Sequence, residues 1–262
     1  MTPSSTPPST LAAHAEPFYS EGGTIPGGTR VGVLLSHGFT GSPASMKPWG
    51  RYLAEQGYAV SVPRLPGHGT TWQEMNRTGF ADWYAELERE FETLKARTDA
   101  VFVGGLSMGG GLALWLAANH PQDVAGVVLV NAAVSSQNKQ LLAVPALKWV
   151  RRGMPAIGGD IKKPGVTEHA YDKTPLKALH SMMKGWKQVR ADLPKVTQPV
   201  LIFRSAEDHV VDEQSTRNVL AGVSSRDVTE RVLENSYHVA TLDNDDQQIF
   251  EESAAFIARV AG

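Results

Sequence analysis

Residues 100–118 read Ala100-Val-Phe-Val-Gly-Gly-Leu-Ser107-Met-Gly-Gly-Gly-Leu-Ala-Leu-Trp-Leu-Ala-Ala118. An apolar, β-prone run leads into Gly104-Gly105, and a helix-forming run starts directly after Ser107. Between them stands Gly-x-Ser-x-Gly, the pattern of a strand-to-helix turn so sharp that its serine takes strained backbone angles and its hydroxyl is pushed into the open. Glycines two residues to either side let strand and helix approach without a clashing β-carbon. A helix beginning beside the serine leaves the Met108 N–H without an intrahelical acceptor, free to point at a developing oxyanion.

Outward from this turn, similar apolar runs recur: Val31-Gly-Val-Leu-Leu-Ser36, Tyr58-Ala-Val-Ser-Val62, Val127-Val-Leu-Val130 and Pro199-Val-Leu-Ile-Phe203. They lack polar alternation, so they read as strands buried on both faces of a mostly parallel sheet. Amphipathic spacing predicts helices over 44–56, 80–96, 108–119, 213–221 and 245–260. Alternating strands and helices imply right-handed crossovers and helices on both faces, an α/β fold. The alternation breaks over 134–195, where Pro145, Pro155, Pro164, Pro175 and Gly158-Gly159 separate short helical pieces. We read this stretch as an insertion at the carboxyl end of the sheet, where open α/β sheets bind ligands, and hence as a cap. The core then comprises 16–133 and 196–262, and the Pro-, Ser- and Thr-rich residues 1–15 form a disordered tail.

With 25 basic and 27 acidic side chains, the chain lacks the excess charge of a polybasic nucleic-acid binder or of a charged disordered segment. The absence of cysteine excludes disulfide frameworks, thiolate zinc sites and cysteine nucleophiles. No signal-peptide pattern and no apolar run of membrane-spanning length occurs, which suggests a cytoplasmic protein. Trp72, Trp83 and Trp115 read as core or helix-face aromatics.

A serine nucleophile needs an imidazole base, and the base needs a carboxylate to fix its tautomer and stabilise its charged form. In this architecture the order is Ser, then Asp or Glu, then His. Of the histidines after Ser107, His169 and His180 precede any credible acid. The acid belongs just beyond 199–203, which offers Glu207, Asp208 and Asp212. Asp208 ends a short loop over the sheet edge, whereas Asp212 precedes a helical pattern as its N-cap and Glu207 reads as a solvated neighbour. His209 adjoins Asp208 too closely in sequence to face it. His238, between the strand-like 228–233 and the last helix, can reach the acid loop, so the expected triad is Ser107, Asp208 and His238. In the loop Ser36-His-Gly-Phe-Thr-Gly41, Gly38 lets the Phe39 N–H turn inward as a second oxyanion donor beside Met108. His37 more simply fixes that loop by hydrogen bonding.

Taken together, Ala15-Glu-Pro-Phe-Tyr19, His37-Gly-Phe-Thr-Gly41, Pro63-Arg-Leu-Pro-Gly-His-Gly69, Gly105-Leu-Ser-Met-Gly-Gly110, Glu207-Asp-His-Val-Val211 and Ser236-Tyr-His-Val-Ala-Thr-Leu-Asp243 resemble the α/β-hydrolase superfamily, within it the bacterial monoacylglycerol lipase and carboxylesterase family. The family's triad and oxyanion positions coincide with those named above. The resemblance implies hydrolysis of monoacylglycerols or short and medium acyl esters, with no metal or organic cofactor. It also makes Glu168, in Thr167-Glu-His-Ala-Tyr-Asp-Lys-Thr-Pro175, the match for an acidic cap residue that hydrogen-bonds the glycerol moiety; a solvated carboxylate or helix cap is the alternative. Residues 137–155 match the family least. Within them, 141–150 followed by Arg151-Arg152 could be a lid surface that touches lipid, although a face packed on the core of the cap is the simpler expectation. The same fold also hosts thioesterases, amidases, perhydrolases and non-catalytic small-ligand receptors.

Overall fold

Every residue of 31–36 and 59–62 is buried, as is all but the first of 100–106, which a parallel sheet requires when helices cover both faces. The computed structural model describes residues 12–25, 28–156 and 158–262. In chain order the elements are β1 (Phe18–Ser20), β2 (Val31–Ser36), α1 (Lys47–Glu55), β3 (Ala59–Val62), α2 (Trp72–Met75), α3 (Phe80–Lys95), β4 (Ala100–Leu106), α4 (Met108–Asn119), β5 (Val124–Val130), α5 (Val144–Val150), β6 (Gly153–Pro155), β7 (Lys173–Pro175), α6 (Leu176–Asp192), β8 (Val200–Ser205), α7 (Glu213–Gly222), β9 (Val228–Leu233) and α8 (Asp246–Ala261).

The main sheet runs β1-β3-β2-β4-β5-β8-β9, parallel throughout except for β1, which pairs antiparallel with β3 at one edge. One face packs on α3, α4 and α6 through Leu34, Phe91, Leu112 and Val127; the other packs on α1 and α8 through Trp49, Leu53, Phe102 and Phe256. This is the mostly parallel α/β arrangement, with helices on both faces, read from the strand and helix alternation. Because the strands are parallel, the loops after β2, β4, β5, β8 and β9 gather at one edge of the sheet. Those loops carry Phe39, Ser107, Asn131, Asp208 and His238.

Several local expectations change. The helix expected from 44 divides into a 3-10 turn over Pro43–Ser45 and α1, which has a proline in its first turn. Between β5 and β8 the chain does not break into short helical pieces only, because α6 runs for 17 residues. Pro175 stands immediately before its first turn, so a residue that reads as a breaker marks a start. A two-stranded sheet, β6 against β7, crosses the same stretch.

Of the face over 141–150, for which inward packing is the simpler expectation and a lipid-touching surface the other, only part packs inward. Val144 is buried and Leu141 and Leu147 are partly buried, but Leu142, Trp149 and Val150 are 81%, 76% and 82% exposed. Trp83 is wholly buried, Trp115 is partly buried against the core, and Trp72 lies under the Lys173 ammonium. Of the tail expected over 1–15, residues 1–11 lie outside the described residues. Ala13–Ala15 forms a 3-10 turn with Ala15 buried, and Lys47 Nζ donates to the His14 carbonyl at 3.2 Å, so packing begins before residue 16. Among the described residues no helix is long and apolar enough to cross a membrane.

Candidate active site

Ser107 joins β4 to α4 with φ 56° and ψ −119°, a conformation that costs a non-glycine residue about 1–3 kcal/mol and needs its surroundings to hold it. Its N–H donates to the Val130 carbonyl at 3.0 Å, and its carbonyl accepts from Ala133 at 2.9 Å and Gly110 at 3.0 Å. The flanking glycines are sterically required. A β-carbon at Gly105 would lie 2.3 Å from the Gly109 carbonyl carbon, and one at Gly109 would lie 2.1 Å from the Ser36 carbonyl oxygen.

The N–H groups of Met108 and Phe39 donate to no acceptor among the described residues. Met108 opens α4, where the first N–H groups have no helical partner. Phe39 follows Gly38, which sits against Ser107: a β-carbon there would be 3.4 Å from the serine's own. His37 anchors this loop. Its Nε2 accepts from the Leu65 N–H at 3.2 Å and its Nδ1 donates to the Gly38 carbonyl at 3.0 Å, an arrangement that needs the neutral ring. Burial pushes its pKa down to about 4, consistent with that form.

His238 and Asp208 meet behind the cavity, with Nδ1 and Oδ2 2.8 Å apart and both side chains 7% exposed. Asp208 Oδ1 accepts from the N–H groups of Val210 and Val211, each at 2.8 Å. Burial raises the Asp208 pKa, but the facing imidazole and those two amides outweigh it, leaving the carboxyl below its ordinary range and ionised. For His238 burial acts downward, and the carboxylates of Asp208, then Glu168 and Asp160, carry the net value above the usual 6.5. With Nδ1 engaged, Nε2 is the nitrogen left to exchange a proton within the cavity.

Ser107, His238, Phe39 and Glu168 line one cavity, whose remaining wall is largely apolar: Leu141, Leu179, Met182, Trp186, Val210 and Val211. Glu168 is 4% exposed, its Oε2 accepts from the Gly159 N–H at 2.8 Å, and burial raises its pKa against that amide and His238. It is neither solvated nor a helix cap. Asp208 supports the cavity from behind His238, and Met108 contributes its backbone while its side chain joins the core.

The other sequence candidates lie elsewhere. Asp212 precedes α7, and its Oδ2 accepts from the Gln137 N–H at 2.7 Å. Glu207 is exposed beside His209 Nε2 at 3.3 Å. His169 stacks on His14, and His180 Nδ1 lies 2.8 Å from Lys148 Nζ.

Three polar residues that sequence reasoning passed over hold the His238 loop. Asn131 donates to the His238 carbonyl at 2.8 Å and to Ser205 Oγ at 2.9 Å, and accepts from the Ser205 N–H at 2.8 Å. Asp160 accepts from the His238 N–H at 3.2 Å and from His209 Nδ1 at 2.9 Å. Asp243, fully buried, accepts from the N–H groups of Tyr237, Lys162 and Lys163 at 2.7–2.9 Å, tying the 162–163 backbone to the loop. Asn131 had one legible signal, a polar residue directly after a wholly apolar strand.

The family model described as Hydrolase_4, Serine aminopeptidase, S33, matches residues 28–245. The thermostable monoacylglycerol lipase of Bacillus sp. (strain H-257) is 45% identical over 255 residues, covering 95% of this chain and 96% of that protein. The carboxylesterase of Bacillus subtilis (strain 168) is 27% identical over 238 residues, covering 90% and 96%. Among solved structures, one from work on the metagenome-derived lipolytic enzymes LipS and LipT superposes with a TM-score of 0.91 at 42% identity, covering 95% of this chain and 100% of that chain. The monoacylglycerol lipase of Paleococcus ferrophilus, at 17% identity and a TM-score of 0.74 over 92% and 98%, shares the fold.

Proposed function

The chain belongs to the α/β-hydrolase superfamily, in the family described as Hydrolase_4 (Serine aminopeptidase, S33), and on that premise we propose that it cleaves monoacylglycerols to glycerol and free fatty acid through an acyl-enzyme. His238 Nε2 takes the Ser107 proton as Oγ attacks the ester carbonyl. The Phe39 and Met108 N–H groups receive the tetrahedral oxyanion, each contributing on the order of a hundredfold or more in rate. Glycerol leaves with the proton from His238, water then attacks the acyl-enzyme by the reverse relay, and Asp208 stays ionised throughout. The apolar wall of Leu141, Leu179, Met182 and Trp186 suits the acyl chain, and the buried Glu168 carboxylate suits a glycerol hydroxyl as acceptor.

The observation that carries this reading is the 2.8 Å His238–Asp208 contact beside a cavity that Ser107 enters from a strained turn. A fluorophosphonate should label the wild type and fail to label Ser107→Ala; a wild type that does not label would leave a non-catalytic receptor. The likeness to a carboxylesterase supports a second reading, a broader ester hydrolase. Glycerol esters and p-nitrophenyl esters of graded acyl length separate the two, since a lipase of this kind shows a marked optimum on monoacylglycerols and a general esterase a flat profile. A thioesterase would prefer acyl-CoA in direct competition.

We also assign residues 134–195 the role of a cap that makes transient contact with lipid. Exposed Leu142, Trp149 and Val150 support this, because apolar side chains so fully hydrated gain by entering an interface.

A further inference from the structure

Charge is distributed unevenly along the chain. Residues 134–195 hold twelve lysines and arginines against four carboxylates, although the whole chain has 25 against 27. The remaining sequence is therefore acidic and the cap strongly basic. Residues 131–159 and 173–191, which include α5 and nearly all of α6, contain no Asp or Glu at all.

Three of the four cap carboxylates turn inward. Asp160 holds His209 and the His238 backbone, Glu168 is buried in the cavity, and Asp192 receives Trp115, Gln188 and Lys195. Only Asp172 is exposed. On the outer side, Lys148, Lys184 and Lys187 have no carboxylate partner among the described residues, and they crowd His180: Lys148 Nζ is 2.8 Å from its Nδ1, and all three lysines act on it electrostatically. The exposed apolar residues are set in this same region. Lys148 lies 5.2 Å from the Trp149 ring centroid, and Leu142 lines a groove with Pro145, Met183, Lys184 and Lys187. The groove shares Leu141 and Trp186 with the cavity of Ser107.

We propose that this face of the cap docks on anionic lipid bilayers, its lysines against the headgroups and Leu142, Trp149 and Val150 in the interface, so that the groove opens from the bilayer toward Ser107. The proposal rests on the lipid-contact reading of the cap and adds the charge of the lipid it selects. Three exposed apolar side chains offer a modest footprint, and each cation near a negative leaflet adds about fivefold in affinity. A second copy is a poorer occupant, because a twofold contact through this face would set like charges against each other.

Vesicle co-sedimentation of the full chain tests it, with phosphatidylcholine alone against phosphatidylcholine containing about 30 mol% phosphatidylglycerol. The anionic vesicles should bind at least about tenfold more tightly, and the preference should fade as salt rises from about 50 to about 500 mM. The double substitution Lys184→Glu with Lys187→Glu should remove most of that preference, with circular dichroism checking that it folds. Equal binding to both vesicles, or binding indifferent to salt and to the charge reversal, would overturn the proposal. Dimerisation in vesicle-free buffer without vesicle binding would also overturn it and give the face to a second copy. Hydrolysis of a soluble ester by the wild type in vesicle-free buffer reads the catalytic proposal separately.

Discussion

The carboxyl edge of the sheet and residues 134–195, the proposed insertion, line the same cavity but are held in different ways. At the edge, two loops are fixed by several hydrogen bonds to their backbone: Ser107 by the backbone of Val130, Ala133 and Gly110, and the His238 loop by the side chains of Asn131 and Asp243. Residues 134–195 supply most of the apolar wall and Glu168, with Val210 and Val211 completing it from the loop after β8, and they leave Leu142, Trp149 and Val150 in solvent. Bond-making groups must be held within tenths of an ångström, whereas a pocket for a flexible chain need only be apolar and open to its source. Changes at the edge should therefore act on kcat, and changes in the insertion on KM and substrate choice.

The largest effect belongs to the edge. Ser107→Ala should lower kcat by about 10⁴-fold or more with the melting temperature nearly unchanged, measured on a soluble ester. Asp208→Asn should cost about 10³- to 10⁴-fold in kcat, because the amide favours the wrong imidazole tautomer and gives the imidazolium no counter-charge. A loss of only a few fold in either would break the distinction.

From the insertion, Glu168→Gln should raise KM for a monoacylglycerol about tenfold, with much less change for a p-nitrophenyl ester that has no glycerol hydroxyls. An equal loss of kcat on both substrates would make Glu168 part of the bond-making group. The smallest effect, and the one that joins the two regions, lies at Asp160. Since carboxylates raise the His238 pKa above 6.5, kcat/KM should fall as pH drops through a value above that of an ordinary histidine. Asp160→Asn keeps an acceptor for the His238 N–H but removes one of those charges, so the acid limb should move to lower pH by less than about one unit. A lower plateau with an unmoved midpoint would make Asp160 only a structural tie.

Legibility in the sequence follows the same division. The strands, the elbow at Ser107 and the loop positions of Asp208 and His238 could be read because they depend on local chemistry: apolar runs, glycines at close approaches and the order of residue types. β1 could not, being three residues long and paired with a distant partner. α6 was obscured by Pro175 and by Gly185, whose missing side chain makes room for Phe80: a β-carbon there would lie 2.3 Å from that ring. Asn131, Asp160 and Asp243 act through backbone amides brought close by folding, which no periodicity records. The exposure of Trp149 went against the expected packing for a related reason, since amphipathic spacing says which residues share a face and not what covers it.

The central claim is that Ser107 Oγ forms a covalent ester with the acyl group during turnover. Acid-quenching the enzyme while it turns over a p-nitrophenyl ester, followed by peptide mass spectrometry, tests it most directly. The peptide containing Ser107 should gain the mass of the acyl group, and the gain should vanish in Ser107→Ala. An acyl group found on another residue, or undiminished turnover by the alanine variant, would contradict the claim.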